Sequence, residues 1–150
     1  MTIKTKSIYE HASQEDGLRV LITRFYPRGV TKDHFDLWLR ELSPSADLLM
    51  KYKQGKIEWH DFIFQLKHEL YANVNSWETI NKLSNDAKKR DITLLCYERG
   101  NELCHRYIVR DIIEQPSSLA KFVSEKNADD DDHHDEEGQG GGGGEENTYD

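Results

Sequence analysis

A nearly continuous apolar run, Ile92-Thr93-Leu94-Leu95-Cys96-Tyr97, constrains the fold of this chain more than any other segment. A strand with one face in water alternates apolar and polar residues, whereas a strand buried on both faces does not. Doubly buried strands are typical of parallel sheets, whose strands are connected by helices. The run therefore predicts an α/β protein with a small, mainly parallel sheet flanked by helices.

Two segments near the N-terminus also have the composition of strands. Residues 3–9 alternate weakly and predict a short edge strand. Residues 18–25 are rich in β-branched and aromatic side chains, which favours a second strand. Pro27 and Gly29 follow it, and they indicate a turn because proline lacks a backbone donor and glycine permits a positive φ.

Apolar residues recur at helical spacing through the middle of the chain and again near its end. Proline, glycine and a capping serine mark several of the boundaries between these stripes. The predicted helices are Phe35 to Leu42, Pro44 to Gly55, Trp59 to Leu70, Ser76 to Ala87, about Glu102 to Gln115, and Leu119 to Val123.

Charge divides the chain into two parts. Its net charge is −8, but residues 127–150 hold ten of the 28 acidic residues, no Lys or Arg, and the glycine run 140–144. Residues 1–126 contain the remaining 18 acidic residues and all 20 Lys and Arg residues, so their net charge is about +2. A segment with so few apolar side chains cannot offset the entropy lost on ordering. We predict one α/β domain at residues 1–126 and a disordered acidic tail at 127–150.

Composition also narrows the location and the partners. No apolar run approaches the roughly 20 residues of a membrane-spanning helix, and the N-terminus lacks the apolar core of a signal peptide. Cys96 and Cys104 are too few for a disulfide framework, so we expect a cytoplasmic protein. No basic stripe interleaved with aromatic residues is present, which disfavours a nucleic-acid-binding module. The acidic tail suits a basic protein partner.

The first candidate site is the loop after the second strand, with Arg24, Tyr26 and Arg28. Ligands of open α/β sheets bind at the carboxyl ends of strands. Guanidinium groups fork onto the oxygens of phosphates and carboxylates, so the loop predicts an anion site. The alternative is that Arg24 and Arg28 pair with acids such as Asp33 or Asp36 and only stabilise the turn.

The second candidate site is formed by Cys96, Tyr97 and Glu98 at the end of the buried strand together with Cys104, His105 and Arg106. The N-terminus of a helix favours an anion and lowers the pKa of a thiol in its first turn. Cys104 is then a candidate nucleophile, His105 and Glu98 are candidate proton carriers, and Arg106 is a candidate oxyanion clamp. The alternative is that Cys104 and Cys96 are small buried hydrophobic residues.

A metal centre is not predicted from these residues. The spacing of the two cysteines and one adjacent histidine matches no recognised zinc motif, and a fourth ligand is not evident. We therefore expect neither a metal nor a cofactor. If the two strands are parallel, both loops emerge at one sheet edge, and Arg24, Arg28 and Arg106 converge on a single anion. Antiparallel strands would place the two loops at opposite ends.

Five ordered segments of the sequence resemble a known family. They are Asp16 to Ile22, Arg24, Pro27 to Val30, Asp36 to Ser45, and Ile92 to Leu95. In this order they resemble the YeaO-like proteins, domain of unknown function 488 (DUF488), over about Ile8 to Ile113. The resemblance implies a small α/β domain and no established activity. Thr23 stands where the family pattern has Asp, and the segment from Cys96 to Arg106 resembles the Cys-x-Glu…Cys-His-Arg pattern of another branch.

These observations lead to two hypotheses of function. The first is a domain that binds a small anionic ligand, such as a nucleotide or a phosphorylated metabolite. Whether it is also an enzyme that uses Cys104 stays open at this point. The alternative is a protein-interaction module that acts through its acidic tail.

Overall fold

The computed structural model describes residues 3–98 and 104–125. Its strands are β1 (Ile3–Ser7), β2 (Leu18–Leu21), β3 (Leu37–Trp38) and β4 (Ile92–Cys96). They form a parallel sheet in the order β1-β4-β2-β3. The helices are α1 (Ala46–Lys53), α2 (Trp59–Ala72), α3 (Val74–Asp86), α4 (His105–Glu114) and α5 (residues 116–125). The predicted α/β architecture with a mainly parallel sheet is confirmed.

The two central strands send alternate side chains into two apolar clusters, as the period of a strand requires. Val20 and Leu94 lie in the larger cluster, and Leu21 and Leu95 lie in the smaller one. All five helices contribute to the larger cluster. The smaller cluster is completed by Ile8, Val30, Phe35 and Trp38. Every residue of β4 is buried, as its continuous apolar run predicts.

The helix predicted from the Phe35–Leu42 stripe is wrong, because this segment forms β3 and a 3-10 turn at Arg40–Leu42. The backbone N–H groups of Asp36 and Leu39 donate to carbonyl groups of β2 at 2.8 Å. Pairing with the open edge of β2 satisfies these backbone groups, so tertiary structure overrides the helical spacing of the side chains.

Other boundaries differ by a few residues. The strand predicted over residues 18–25 ends at Leu21, after which only the Ile22 N–H still pairs with β4, at 3.1 Å from the Leu95 oxygen. α3 is capped by Asn73 rather than by the predicted Ser76, whose hydroxyl donates to the Glu41 carbonyl oxygen at 2.5 Å. The structure confirms α1, α2 and the two C-terminal helices in approximate position.

The predicted tail, residues 127–150, lies outside the described residues, as does Glu102 at the predicted start of α4. Every helix within residues 3–98 and 104–125 is too short or too polar to span a lipid bilayer.

Candidate functional site

Two segments leave the sheet at its carboxyl edge, and between them they carry every predicted site residue. β2 and β4 are adjacent and parallel, and Leu21 pairs with Leu95. The chain after Leu21 and the chain after Cys96 therefore start at the same edge. The parallel orientation that the shared-edge hypothesis required is confirmed.

His105 is the first residue of α4, and its ring is held by the end of β2. Its Nε2 atom lies 2.6 Å from the carbonyl oxygen of Ile22. A carbonyl oxygen only accepts hydrogen bonds, so Nε2 carries a proton and donates it. The other nitrogen, Nδ1, lies 3.7 Å from the Cys104 sulfur and 3.8 Å from the Cys96 sulfur. Nδ1 is therefore the atom that exchanges a proton with a thiol.

Cys104 caps α4, and its sulfur accepts the backbone N–H of Arg106 at 3.5 Å. Burial opposes ionisation of this thiol. Hydrogen bonds from Cys96 and His105, the charge of the His105 ring and the Arg106 N–H outweigh it and lower the pKa of Cys104 to about 3. These contacts make Cys104 a thiolate.

The pKa values of the neighbouring groups are all raised. Burial raises the pKa of the Cys96 thiol, and the adjacent Cys104 sulfur raises it further. Burial also raises the pKa of the Glu98 carboxyl, and the charge of Cys104 adds to that effect. For His105 burial acts against protonation, but the Cys104 sulfur and the Ile22 carbonyl raise its pKa. The electrostatics of the site thus favour the ionised form of Cys104 and the protonated form of His105.

Arg106 joins the end of β4 to α4. It is almost completely buried, and its guanidinium donates to the Glu98 carbonyl oxygen at 2.8 Å and to the Tyr107 hydroxyl at 3.0 Å. The Glu98 carboxylate lies 3.7 Å from the Lys53 ammonium. Arg106 therefore positions the backbone beside the thiol.

The arginines of the first loop have different surroundings. Arg24 donates from Nε to the Pro44 carbonyl oxygen at 3.0 Å, whereas Arg28 is exposed. The Tyr26 hydroxyl donates to the Val30 carbonyl oxygen at 2.7 Å and stabilises the loop. Binding of one anion by Arg24, Arg28 and Arg106 stays a prediction.

The acids considered as alternative partners of these arginines are engaged elsewhere. Asp36 accepts the backbone N–H of Arg19 at 2.8 Å, and Asp33 accepts the hydroxyl of Thr31. The pairing of Arg24 or Arg28 with Asp33 or Asp36 is not found among the described residues.

One group of side chains can hold a metal ion. The ligand atoms of Cys96, Cys104 and His105 all lie within 4.8 Å of one another, and the three residues are buried. The described part of the chain thus contains a two-sulfur, one-nitrogen ligand set that the spacing in the sequence did not predict.

Comparison with known proteins assigns the family. A family model described as the active DUF488-N3 subclade matches residues 3–117. The chain belongs to the YeaO-like DUF488 family. The uncharacterized protein YeaO of Escherichia coli is 30% identical over 113 residues, which are 74% of this chain and 96% of YeaO. Uncharacterized proteins of Mycobacterium bovis and Mycobacterium tuberculosis are 28% identical over 71 residues, 46% of this chain and 60% of theirs. No solved structure matches the chain.

Sequence reasoning missed two features of this DUF488 site. Cys96 belonged to the second candidate segment but was given no chemical role, although its position at the carboxyl end of a buried strand already placed it at the edge where ligands bind. The Ile22 carbonyl has no sequence signature, because any residue type supplies the same backbone oxygen.

Proposed function

We propose that this DUF488 protein binds a small anionic substrate and modifies it through a covalent intermediate on the Cys104 sulfur. The arrangement of Cys104, His105 and the Ile22 carbonyl supports this most directly. A nucleophile, a base and a group that orients the base are the usual components of covalent catalysis by cysteine.

The chemistry follows from the proton positions. In the resting site the proton of Cys104 already lies on Nδ1 of His105, and the thiolate attacks an electrophilic atom of the substrate. A bond forms between sulfur and that atom while the leaving group departs with its electron pair. The His105 imidazolium gives its proton to the leaving group. Water then attacks the same substrate atom and gives a proton to Nδ1 of His105, while the bond to sulfur breaks with its electron pair returning to Cys104 and the product leaves.

The surroundings of the thiol favour a small, negatively charged substrate. Cys104 is 3% exposed, so only a small molecule or a narrow protruding group reaches the sulfur. The first turn of α4 attracts an anion, and Arg28 offers an exposed guanidinium at the same sheet edge. A nucleotide or a phosphorylated metabolite has these properties. Both cysteines are free, which suits the reducing cytoplasm where we place the activity.

Selective alkylation tests the nucleophile. Reduced, chelator-treated native protein is exposed to iodoacetamide at neutral pH, and each cysteine is followed by peptide mass spectrometry. Cys104 should be modified first, while the protonated, fully buried Cys96 reacts only after unfolding. If both cysteines stay inert until the protein unfolds, the proposed chemistry is wrong.

Protection from alkylation tests the substrate class. Inorganic phosphate and AMP are added separately before iodoacetamide, and at least one of them should slow the modification of Cys104. Arg28→Ala should remove this protection, whereas Lys32→Ala, which removes another exposed cation of the same loop, should retain it. Equal protection of the wild type and Arg28→Ala, or protection by neither anion, would argue against the anion site.

A further inference from the structure

We propose that Cys96, Cys104 and His105 also bind one thiophilic divalent cation, for which Zn²⁺ is the representative probe. Two of these residues belong to the proposed thiol chemistry, and Cys96 supplies the additional ligand. The inference does not depend on that chemistry, because it concerns a metal that occupies the thiols rather than a substrate that they attack.

The distances fit a tetrahedral metal. Zinc bonds of about 2.3 Å to sulfur and about 2.0–2.1 Å to nitrogen separate the two ligand atoms by roughly 3.6 Å at the tetrahedral angle. The Nδ1 atom of His105 lies 3.7 Å from the Cys104 sulfur and 3.8 Å from the Cys96 sulfur. The Cys96 sulfur is also 3.8 Å from Nε2, so a tilt of the ring is needed to direct Nδ1 between the sulfurs.

The groups around the three ligands resemble the outer shell of a metal site. A metal-bound histidine usually donates its second ring nitrogen to a carbonyl or carboxylate, which fixes the tautomer and the ring. His105 does this through Nε2 to the Ile22 oxygen at 2.6 Å. The backbone N–H of Arg106 donates to the Cys104 sulfur at 3.5 Å, which stabilises a thiolate ligand.

Charge and ligand type select the class of metal. Two thiolates and a neutral imidazole offset the charge of a divalent ion, so a buried site carries no net charge. Thiolates favour Zn²⁺ and other soft or borderline ions over Mg²⁺ and Ca²⁺. Three protein ligands leave a fourth position for water or an added ligand, as in zinc sites that are not purely structural.

Metal binding and thiol chemistry exclude each other at this site. A Cys104 sulfur bonded to Zn²⁺ has its lone pair engaged and does not attack a substrate. Zn²⁺ therefore acts as a reversible inhibitor, and a chelator restores the nucleophile.

Titration of the reduced, metal-free, full-length protein under anaerobic conditions tests the site. Co²⁺ should bind with one equivalent per chain and give thiolate-to-cobalt absorption, which His133 and His134 cannot produce because they contain no sulfur. Zn²⁺ should displace Co²⁺ and protect both cysteines from iodoacetamide. Absence of the thiolate absorption in the wild-type protein would overturn the proposal.

Cys96→Ala separates the metal site from the thiol chemistry. It should abolish the cobalt absorption and weaken Zn²⁺ binding by more than about 100-fold, the largest loss typical of removing only an outer-shell partner. Leu95→Val, at a neighbouring buried position of β4, should bind Zn²⁺ like the wild type. Unchanged Zn²⁺ affinity in a folded Cys96→Ala variant would also contradict the proposal.

Alkylation of Cys104 in the metal-free wild type distinguishes the two proposals. If Cys104 is reactive and no metal binds, the proposed function stands and only the metal proposal is wrong. If the protein binds metal but Cys104 is inert in the metal-free protein, the proposed thiol chemistry is wrong and the metal site stands.

Discussion

At the scale of single residues, the site depends on which nitrogen of His105 faces the sulfurs. The Ile22 carbonyl decides this by accepting from Nε2 and leaving Nδ1 toward Cys104. A carboxylate does the same task in many cysteine and serine enzymes, but a carbonyl adds no charge. The carbonyl at the end of β2 therefore orients the His105 ring, and the neighbouring Cys104 sulfur favours its protonation.

The pH dependence of alkylation measures this pairing. Because the pKa of Cys104 is lowered to about 3, the thiolate is fully formed at both pH 7 and pH 5. In chelator, the rate of Cys104 alkylation should change little between these values, whereas a free thiol with a pKa of about 8.5 slows roughly 100-fold. His105→Gln should restore the dependence of an ordinary thiol. A wild-type rate that falls like that of glutathione would contradict the ion pair.

A second buried charge cluster lies at the start of β2. The Asp16 carboxylate contacts the guanidinium of Arg19 and lies 3.1 Å from the Lys6 ammonium. Burial opposes ionisation of Asp16, but the Ser13 N–H and the two cations outweigh it and lower the pKa of Asp16. Near these pKa values the folded state binds fewer protons than the unfolded state. The ionised Asp16 carboxylate therefore stabilises the fold at pH values above the usual aspartate pKa of about 3.9.

Acid should weaken the fold through this carboxylate. As pH falls below about 4 and through the lowered pKa of Asp16, its contribution to the free energy of unfolding is lost. Asp16→Asn should cost about 3 kcal/mol at pH 7, because it leaves the Arg19 charge buried, and should flatten the loss below pH 4. Glu15→Gln, at an exposed neighbouring acid, is the control. Urea unfolding at several pH values measures the loss of stability at pH 7 and its dependence on acid. Equal effects of Asp16→Asn and Glu15→Gln would contradict the role given to Asp16.

At the scale of elements, the turn into β2 requires a glycine. Gly17 has a φ of +64°, and a Cβ there would lie 2.2 Å from the backbone oxygen of Asp91. The same oxygen accepts the N–H of Leu18 at 2.9 Å, so the turn and the start of β4 are in direct contact. Backbone conformation and close packing both exclude a larger residue here.

Gly17→Ala should therefore destabilise the protein by more than the roughly 1–2 kcal/mol that a positive φ alone costs an alanine. Gly29→Ala is the matched control, because Gly29 has a φ of +77° but nothing within 4 Å of its Cβ position. Thermal unfolding should show the larger decrease in melting temperature for Gly17→Ala. Similar decreases for both variants would mean that the contact with Asp91 relaxes easily.

At the scale of the whole molecule, charge is distributed unevenly along the chain. Residues 1–126 carry about +2, and residues 127–150 supply the negative charge that makes the total −8. Within residues 3–98 and 104–125, the apolar clusters extend from Ile3 to Val123. We propose that the domain needs nothing beyond residue 126 for its stability.

Deleting residues 127–150 tests this division. Because residues 127–150 contain few apolar side chains that could be buried, the free energy of unfolding should change by less than about 0.5 kcal/mol, the usual range for surface changes. The shortened protein should also lose its retention on an anion-exchange column at neutral pH. Denaturant unfolding of both proteins measures the difference, and a loss of cooperative unfolding would show that the tail belongs to the fold.

Much of the fold follows from patterns within the sequence. The apolar run at residues 92–97 predicts a strand buried on both faces, and β4 is buried throughout. The stripe from Trp59 to Leu70 predicts α2, whose residues Phe62, Leu66 and Leu70 are buried. These predictions succeed because local spacing alone decides which face of an element is apolar.

The tertiary structure decided what local spacing does not encode. The Phe35–Leu42 segment has helical spacing, yet it pairs with β2 because that strand had an open edge. The sequence placed Cys104 and His105 together at a helix start, but the approach of the Cys96 sulfur and the Ile22 carbonyl depends on β2 and β4 being neighbours. A site made from two strand ends and one helix start exists only after the sheet has formed.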